Sequence, residues 1–207
     1  MDVHNLMEEV VSYRINKLYN QVKEEDIEIL VNCAGFGVFG EFTTTSLDKE
    51  LDMIDTNIKG LHILTKLFLQ EFTKRNRGYI LNVASSAAFQ PGPLMAGYYA
   101  SKAYVLRLSE SIYGELKEIK SNVGISVLCP GPVDTEFANV ASLGARKVVK
   151  DGKSPDKVVA HCLKSISRRK YISIMALKWK FKAFMSRFIS KIWFARYTFK
   201  HEKRPSN

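Results

Sequence analysis

The 207-residue sequence predicts an α/β protein built on an open, doubly wound parallel sheet. Three observations carry that expectation. Short apolar runs alternate with longer segments of helical periodicity, the pattern of βαβ units. Glycine, proline and small polar residues gather at the carboxyl ends of the apolar runs. A chain that is 46% apolar and 25% charged has enough material for one buried core.

The elements follow in order. Met7, Val10, Val11, Ile15, Leu18 and Val22 recur at helical spacing. IEILVN (27–32) is a short apolar run and reads as a buried strand. The glycine-rich loop CAGFGVFGEF comes next. Leu51, Ile54, Ile58, Leu61, Leu64, Phe68 and Phe72 mark one long helix from Leu47 to about Lys74. YILNVA (79–84) is the second strand, and Gln90 to Pro93 is a loop with two prolines. A helix bearing Tyr98 runs to about Ile119, and VGISVLC (123–129) is the third strand, ended by Pro130-Gly131-Pro132. Ser154-Pro155-Asp156 combines an N-cap, a proline at the first helical position and an acid near the positive helix end. That helix reaches about Ser167, and a strand follows at Tyr171–Ile174. Such βαβ units imply right-handed crossovers. Ligands of open sheets sit beyond the carboxyl ends of the strands. Those ends are Asn32-Cys33-Ala34-Gly35, Ala84-Ser85-Ser86 and Cys129-Pro130-Gly131.

Composition narrows the function classes. No run of 18 apolar residues suggests a transmembrane helix. The opening MDVHNLMEEV lacks the basic and then apolar regions of a signal peptide, so a cytoplasmic location is expected. Cys33, Cys129 and Cys162 are odd in number and widely spaced, which argues against a disulfide framework or a metal site. Net charge is +10, but residues 177–207 hold nine Lys/Arg against Glu202 and supply +8 of it. The nearly neutral remainder is no nucleic-acid surface.

Tyr98 and Lys102 carry the chemistry. Four residues apart on a helix, they share a face and would point into one cleft. A free phenol has a pKa near ~10, and a nearby ammonium favours the phenolate. The pair therefore reads as a general acid/base with its tuning group built in; taken alone, the plainer reading is a chance YxxxK with Tyr98 packed and Lys102 solvated. Ser85, thirteen residues before Tyr98 at a strand end, could hold a substrate oxygen beside the phenol; a turn residue is the plainer reading. Asn57 is mildly unfavourable inside a helix. It is read either as an exposed polar position or as part of a hydrogen-bonded relay.

Asn32-Cys33-Ala34-Gly35, Asn57, Ser85, Tyr98-Tyr99-Ala100-Ser101-Lys102 and Pro130-Gly131-Pro132-Val133-Asp134-Thr135 occur in an order and spacing that resembles the short-chain dehydrogenase/reductase family, over about residues 2–175. The resemblance implies a Rossmann-like fold and reversible carbonyl–alcohol redox with NADP or NAD. Tyr98 would be the acid/base. Lys102 would lower its pKa and bind the nicotinamide ribose. Ser85 would orient and polarise the substrate oxygen, and Asn57 would anchor a relay water. Asn32, Ala34 and Gly35 would lie along the cofactor, where small residues allow close approach. Pro130, Gly131 and Val133 would border the nicotinamide, with Thr135 near its carboxamide. Cys33 replaces the commoner second Asn and reads as a small strand-end filler. Residues 136–154 would form the substrate loop.

The resemblance also implies a missing front. The family opens with a strand, a TGxxxGxG turn and a pyrophosphate-binding helix, and no such segment precedes IEILVN. Asp2-Val3 looks like the close of the family's third strand, so about 60 residues, roughly two βα units, would be absent. IEILVN would then be a sheet edge. The residue choosing NAD or NADP would be lost, and the chain alone would bind cofactor poorly. The alternative function is a non-catalytic remnant acting as a binding or membrane-associated protein.

The expected organisation is a partial reductase domain (1–175) followed by a basic amphipathic extension (176–207). In the extension, Phe181, Phe184, Met185, Phe188, Ile189 and Ile192 are interleaved with Lys182, Arg187, Lys191 and Arg196. Either peripheral contact with a membrane surface through 178–200 or docking on the body fits that composition. The other expected partners are a small carbonyl or alcohol substrate and, by resemblance, a second copy of the complete protein; nucleic acid is not expected.

Overall fold

The structure, a computed structural model, describes residues 3–141 and 152–202. Four parallel strands form its sheet in the order β1 (Ile29–Asn32), β2 (Tyr79–Val83), β3 (Gly124–Cys129), β4 (Ile172–Ile174). Asn32 stands opposite Asn82, and Val83 opposite Leu128. The carboxyl ends of β1, β2 and β3 therefore lie level, and the loops after them share one rim.

The helices are α1 (Val3–Val22), α2 (Leu47–Ile54), α3 (Leu61–Lys74), α4 (Ala96–Glu118), α5 (Phe137–Val140), α6 (Pro155–Ser167), α7 (Leu177–Met185) and α8 (Lys191–Glu202). Ser46 caps α2, its hydroxyl accepting from Lys49 N. Side chains alternate across each strand, so the two sheet faces have separate cores. On one face Phe68 and Phe72 of α3 and Ile112 and Leu116 of α4 pack on Ile80 and Ile125, with Tyr19 and Val22 of α1 beside them. On the other face Val158 and Cys162 of α6 pack on Leu81 and Leu128.

That division corrects one expectation. The strand order advances in one direction throughout, yet the β3-to-β4 helix lies on the face opposite the earlier two. The last crossover therefore has the opposite hand to the first two, and the three cannot all be right-handed.

Two helices also differ from their sequence reading. The segment 47–74 is interrupted by a π-helical turn, Asp55–Gly60. The basic extension forms two helices, α7 and α8, broken at residues 186–190. As expected, IEILVN supplies an edge strand. Ile29 and Val31 are 48% and 52% exposed, since no described helix covers that side of β1. Among the described residues no helix is long and apolar enough to cross a membrane.

Candidate active site

The strand-end rim brings the expected residues together. α4 begins just beyond the loop after β2, so its first turns lean over the ends of β2 and β3. Tyr98 and Lys102 lie one turn apart on it. The ammonium of Lys102 sits 5.9 Å from the centroid of the Tyr98 ring. Lys102 is buried, and its Nζ donates to Val83 O at 3.0 Å. Ser85 extends the chain out of β2 and caps the 3₁₀ turn Ser86–Phe89, its Oγ accepting from Ala87 N at 3.1 Å. It lies close enough to the Tyr98 phenol to favour the phenolate.

Burial sets the protonation of both groups. It holds the Tyr98 phenol above its ordinary value of 10.0, and the Ser85 hydroxyl opposes that rise. The expected lowering by Lys102 is not what the site displays. The same burial lowers Lys102 itself to about 8, against the raising influence of Cys33 and Cys129. Its reach to Val83 O leaves the ammonium over the ring and not on the phenol oxygen.

Asn57 occupies the π-helical turn, a distortion that often marks functional positions. It is fully buried and not an exposed polar residue. Its Oδ1 accepts from Phe36 N at 3.0 Å, and its Nδ2 donates to Phe36 O at 2.8 Å and to Ser101 Oγ at 3.0 Å. Ser101 Oγ in turn donates to Tyr98 O at 2.7 Å. One amide thus ties the loop after β1 to the turn of α4 that carries Tyr98. Both amide hydrogens have protein acceptors, so the side chain braces the site.

The other expected residues divide. Ala34 and Gly35 are exposed on the rim. A Cβ at Gly35 would lie 2.8 Å from Asn57 Oδ1 and 3.1 Å from Lys102 Nζ, so only glycine lets this backbone approach the ammonium. Asn32 turns its side chain inward. It donates to Asn82 Oδ1 at 2.8 Å and Thr65 Oγ1 at 3.1 Å, within a buried network that continues from Asn82 to Ser109 Oγ. Cys33 is exposed on the rim and not packed as a filler. Cys129 is buried, and burial pushes its thiol up to about 12.

Pro130 O accepts from Ser86 N at 2.8 Å and fixes the loop after β3 beside Ser85. Gly131 lies under the indole of Trp179, where a Cβ would collide with it. Val133 packs with the α6 core and pairs with Lys153. Thr135 is exposed, its hydroxyl accepting from Phe137 N at 3.4 Å. Of the expected substrate loop 136–154, residues 142–151 lie outside the described residues.

Sequence reasoning missed two aromatic walls. Phe137 packs on Tyr98 with ring centroids 5.2 Å apart. Beside them, a Cβ on Gly37 would meet Met95 at 2.8 Å and Phe137 at 3.1 Å. Trp179 comes from α7, far along the chain. Neither has a spacing signal, because each meets the site through a loop of its own. A separate hollow of about 510 Å³, bounded by Lys66, Leu69, Gln70, Thr73 and Lys74, lies along α3, away from Tyr98.

The fold and this constellation define the class. The short chain dehydrogenase family model matches residues 7–145, and the chain belongs to that family. An uncharacterized oxidoreductase of Staphylococcus epidermidis is 34% identical over 134 residues, 64% of this chain and 57% of the relative. The bovine dehydrogenase/reductase SDR family member 4 is 35% identical over 115 residues, 55% of this chain and 40% of the relative. The chain thus spans less than two thirds of the length of these relatives. Among solved structures, a short-chain dehydrogenase from Sphingobium yanoikuyae in complex with NADPH shares the fold with a TM-score of 0.73. It is 23% identical, with 93% of this chain and 72% of that one covered. A Burkholderia phymatum short chain dehydrogenase/reductase in complex with NAD has a TM-score of 0.73 at 20% identity, covering 93% and 74%.

Proposed function

We propose that this protein is an oxidoreductase that interconverts a carbonyl and an alcohol using NADP or NAD. The observation that carries the reading is the convergence of Tyr98, Ser85 and buried Lys102 on one rim, held there by Asn57. Family membership and relatives solved with NADPH and NAD support it.

The residues fit a nicotinamide cofactor. Gly35 is a cradle that any Cβ would fill, beside a buried ammonium. An ammonium has three donors and Val83 O takes one, so Lys102 can bind ribose hydroxyls, with Ala34, Gly35, Pro130 and Gly131 as the surrounding walls. The cofactor, when bound, supplies the hydride chemistry. Tyr98 Oη holds or accepts the proton that moves to or from the substrate oxygen. Ser85 Oγ hydrogen-bonds that same oxygen and orients it toward the phenol. Lys102 stabilises developing phenolate charge from across the ring. Asn57 positions both the Gly35 backbone and the Tyr98 turn. The Phe137 ring beside Tyr98 excludes water from the proton-transfer step.

The test is oxidation of NADPH and of NADH by the purified protein against a panel of ketones and aldehydes, repeated with Tyr98→Phe. Loss of a positioned acid/base should lower turnover by about 10²–10⁴-fold, with cofactor binding, read by nicotinamide fluorescence, unchanged. Substantial residual turnover in Tyr98→Phe would defeat the assignment.

A further inference from the structure

The basic extension is built back to front for a helix that serves only the core. Helix α7 places Trp179 and Ala183 toward the body, while Leu177, Phe181 and Phe184 form a stripe on the opposite side, 81%, 64% and 54% exposed. An amphipathic helix of a globular protein normally turns its apolar stripe inward. The stripe continues into Phe188, whose ring packs on Phe184 at 5.2 Å, and then into Ile192, both about 70% exposed. On α8, Trp193 and Tyr197 are stacked at 5.5 Å and exposed as well. Tryptophan and tyrosine are the side chains that favour a membrane–water interface.

Charge points the same way. Residues 177–202 contain seven Lys/Arg and one acid, Glu202. Lys180, Lys182, Arg187, Arg196 and Lys200 form no ion pair among the described residues. The helices are nonetheless held in place. Lys191 Nζ donates to Phe89 O at 3.1 Å and to Ser186 O at 2.6 Å. Lys182 lies 4.6 Å from the centroid of the Trp179 ring, which covers Gly131.

We propose that α7 and α8 form a docking face for an anionic lipid surface. The outward phenylalanines enter the acyl boundary, Trp193 and Tyr197 lie at headgroup level, and the flanking cations meet lipid phosphates and carboxylates. A nucleic acid would use the cations but leave the phenylalanine stripe in water, and a second copy would bring like charge against like charge. Lipid is the occupant that satisfies both properties. The root at Phe89 and Gly131 sets the rim that holds Ser85 and Tyr98 next to that surface; this consequence alone rests on the catalytic reading.

Co-sedimentation of the purified protein with phosphatidylcholine vesicles, with and without phosphatidylserine, tests the docking face. Binding should require phosphatidylserine, weaken with added salt, and fall by at least about tenfold in Phe181→Glu/Phe184→Glu and in Arg196→Glu/Lys200→Glu. Thermal unfolding of each variant checks that the body is intact. If the phenylalanine pair fails to fold, the arginine–lysine pair and the salt titration decide the matter. The proposal is overturned by absence of binding to phosphatidylserine vesicles at low salt, or by variants that bind as the parent does. It is also overturned if the variants instead abolish a concentration-dependent dimer or binding to duplex DNA in a protein that ignores vesicles. Reductase activity is read separately, so loss of docking and loss of catalysis remain distinguishable.

Discussion

Lys102 shows what a buried cation costs at the scale of one residue. Its pKa is about 8 in the fold against 10.5 for the ordinary side chain, so burial penalises its charged form more than Val83 O compensates. Between pH 8 and 10.5 the unfolded chain binds more protons than the folded one. The contribution of this group to stability therefore rises with pH through that window and is least favourable below it. The shift corresponds to roughly 3 kcal/mol at most. Lys102→Met should accordingly melt at a higher temperature than the parent at pH 7, and the gap should close as pH rises from 8 to 10.5. Tyr98 and Cys129 are raised and act in the opposite direction above pH 9, so the comparison is made as parent minus variant at each pH. A variant that melts lower at pH 7 would mean that the Val83 hydrogen bond outweighs desolvation. A residue that is expensive to fold and is retained beside a phenol is the signature of a site tuned for chemistry.

Among the elements, the π-helical turn and the α7 root decide where the site residues stand. The turn delivers Asn57 to the backbone of Phe36 and to Ser101. Asn57→Ala would strand the Phe36 N–H and C=O, at about 1–3 kcal/mol for each unsatisfied group. Urea unfolding should show that loss as a lower midpoint with unchanged slope. Turnover should fall through displacement of Tyr98, with the pH profile of the remaining activity kept. A shifted pH profile would instead assign Asn57 a direct part in proton transfer. At the other root, Trp179 spans α7 and the loop after β3. Trp179→Ala should release α7 and speed trypsin cleavage at Lys178, Lys180 and Lys182, while Gly131→Ala should do the same by displacing the indole. Protection equal to the parent in both variants would show that Lys191 alone anchors the extension.

At the scale of the whole molecule, β1 and β4 are the two edges of the described sheet. Among the described residues β1 pairs only with β2, and Ile29 and Val31 are about half exposed on it. An apolar edge strand templates pairing with other chains. Val31→Lys should reduce light scattering of concentrated protein without lowering its melting temperature, since the side chain has little packing to lose. Unchanged scattering would move the association to another surface, the α7–α8 face being the first to check.

The sequence by itself determined the parallel α/β architecture, because strands buried on both faces and helices buried on one leave distinct apolar periods. It also paired Tyr98 with Lys102 and set Ser85 at a strand end, because a four-residue helical spacing and strand-end positions survive in one dimension, whereas Asn57 joined them only through the resemblance of motif order. It could not reveal that Asn57 braces the loop after β1 against α4, or that Asn32 turns inward to Asn82. It could not show that Phe137 and Trp179 wall the rim, or that α6 crosses to the other face. Those facts depend on contacts between residues far apart in the chain, and on competition among partners for each hydrogen bond. The sign of the Tyr98 shift was decided in the same way. The sequence supplied a neighbouring ammonium, but only the tertiary structure set how deeply both groups are buried and where the ammonium points. In a dry site desolvation outweighs a charge that is directed elsewhere.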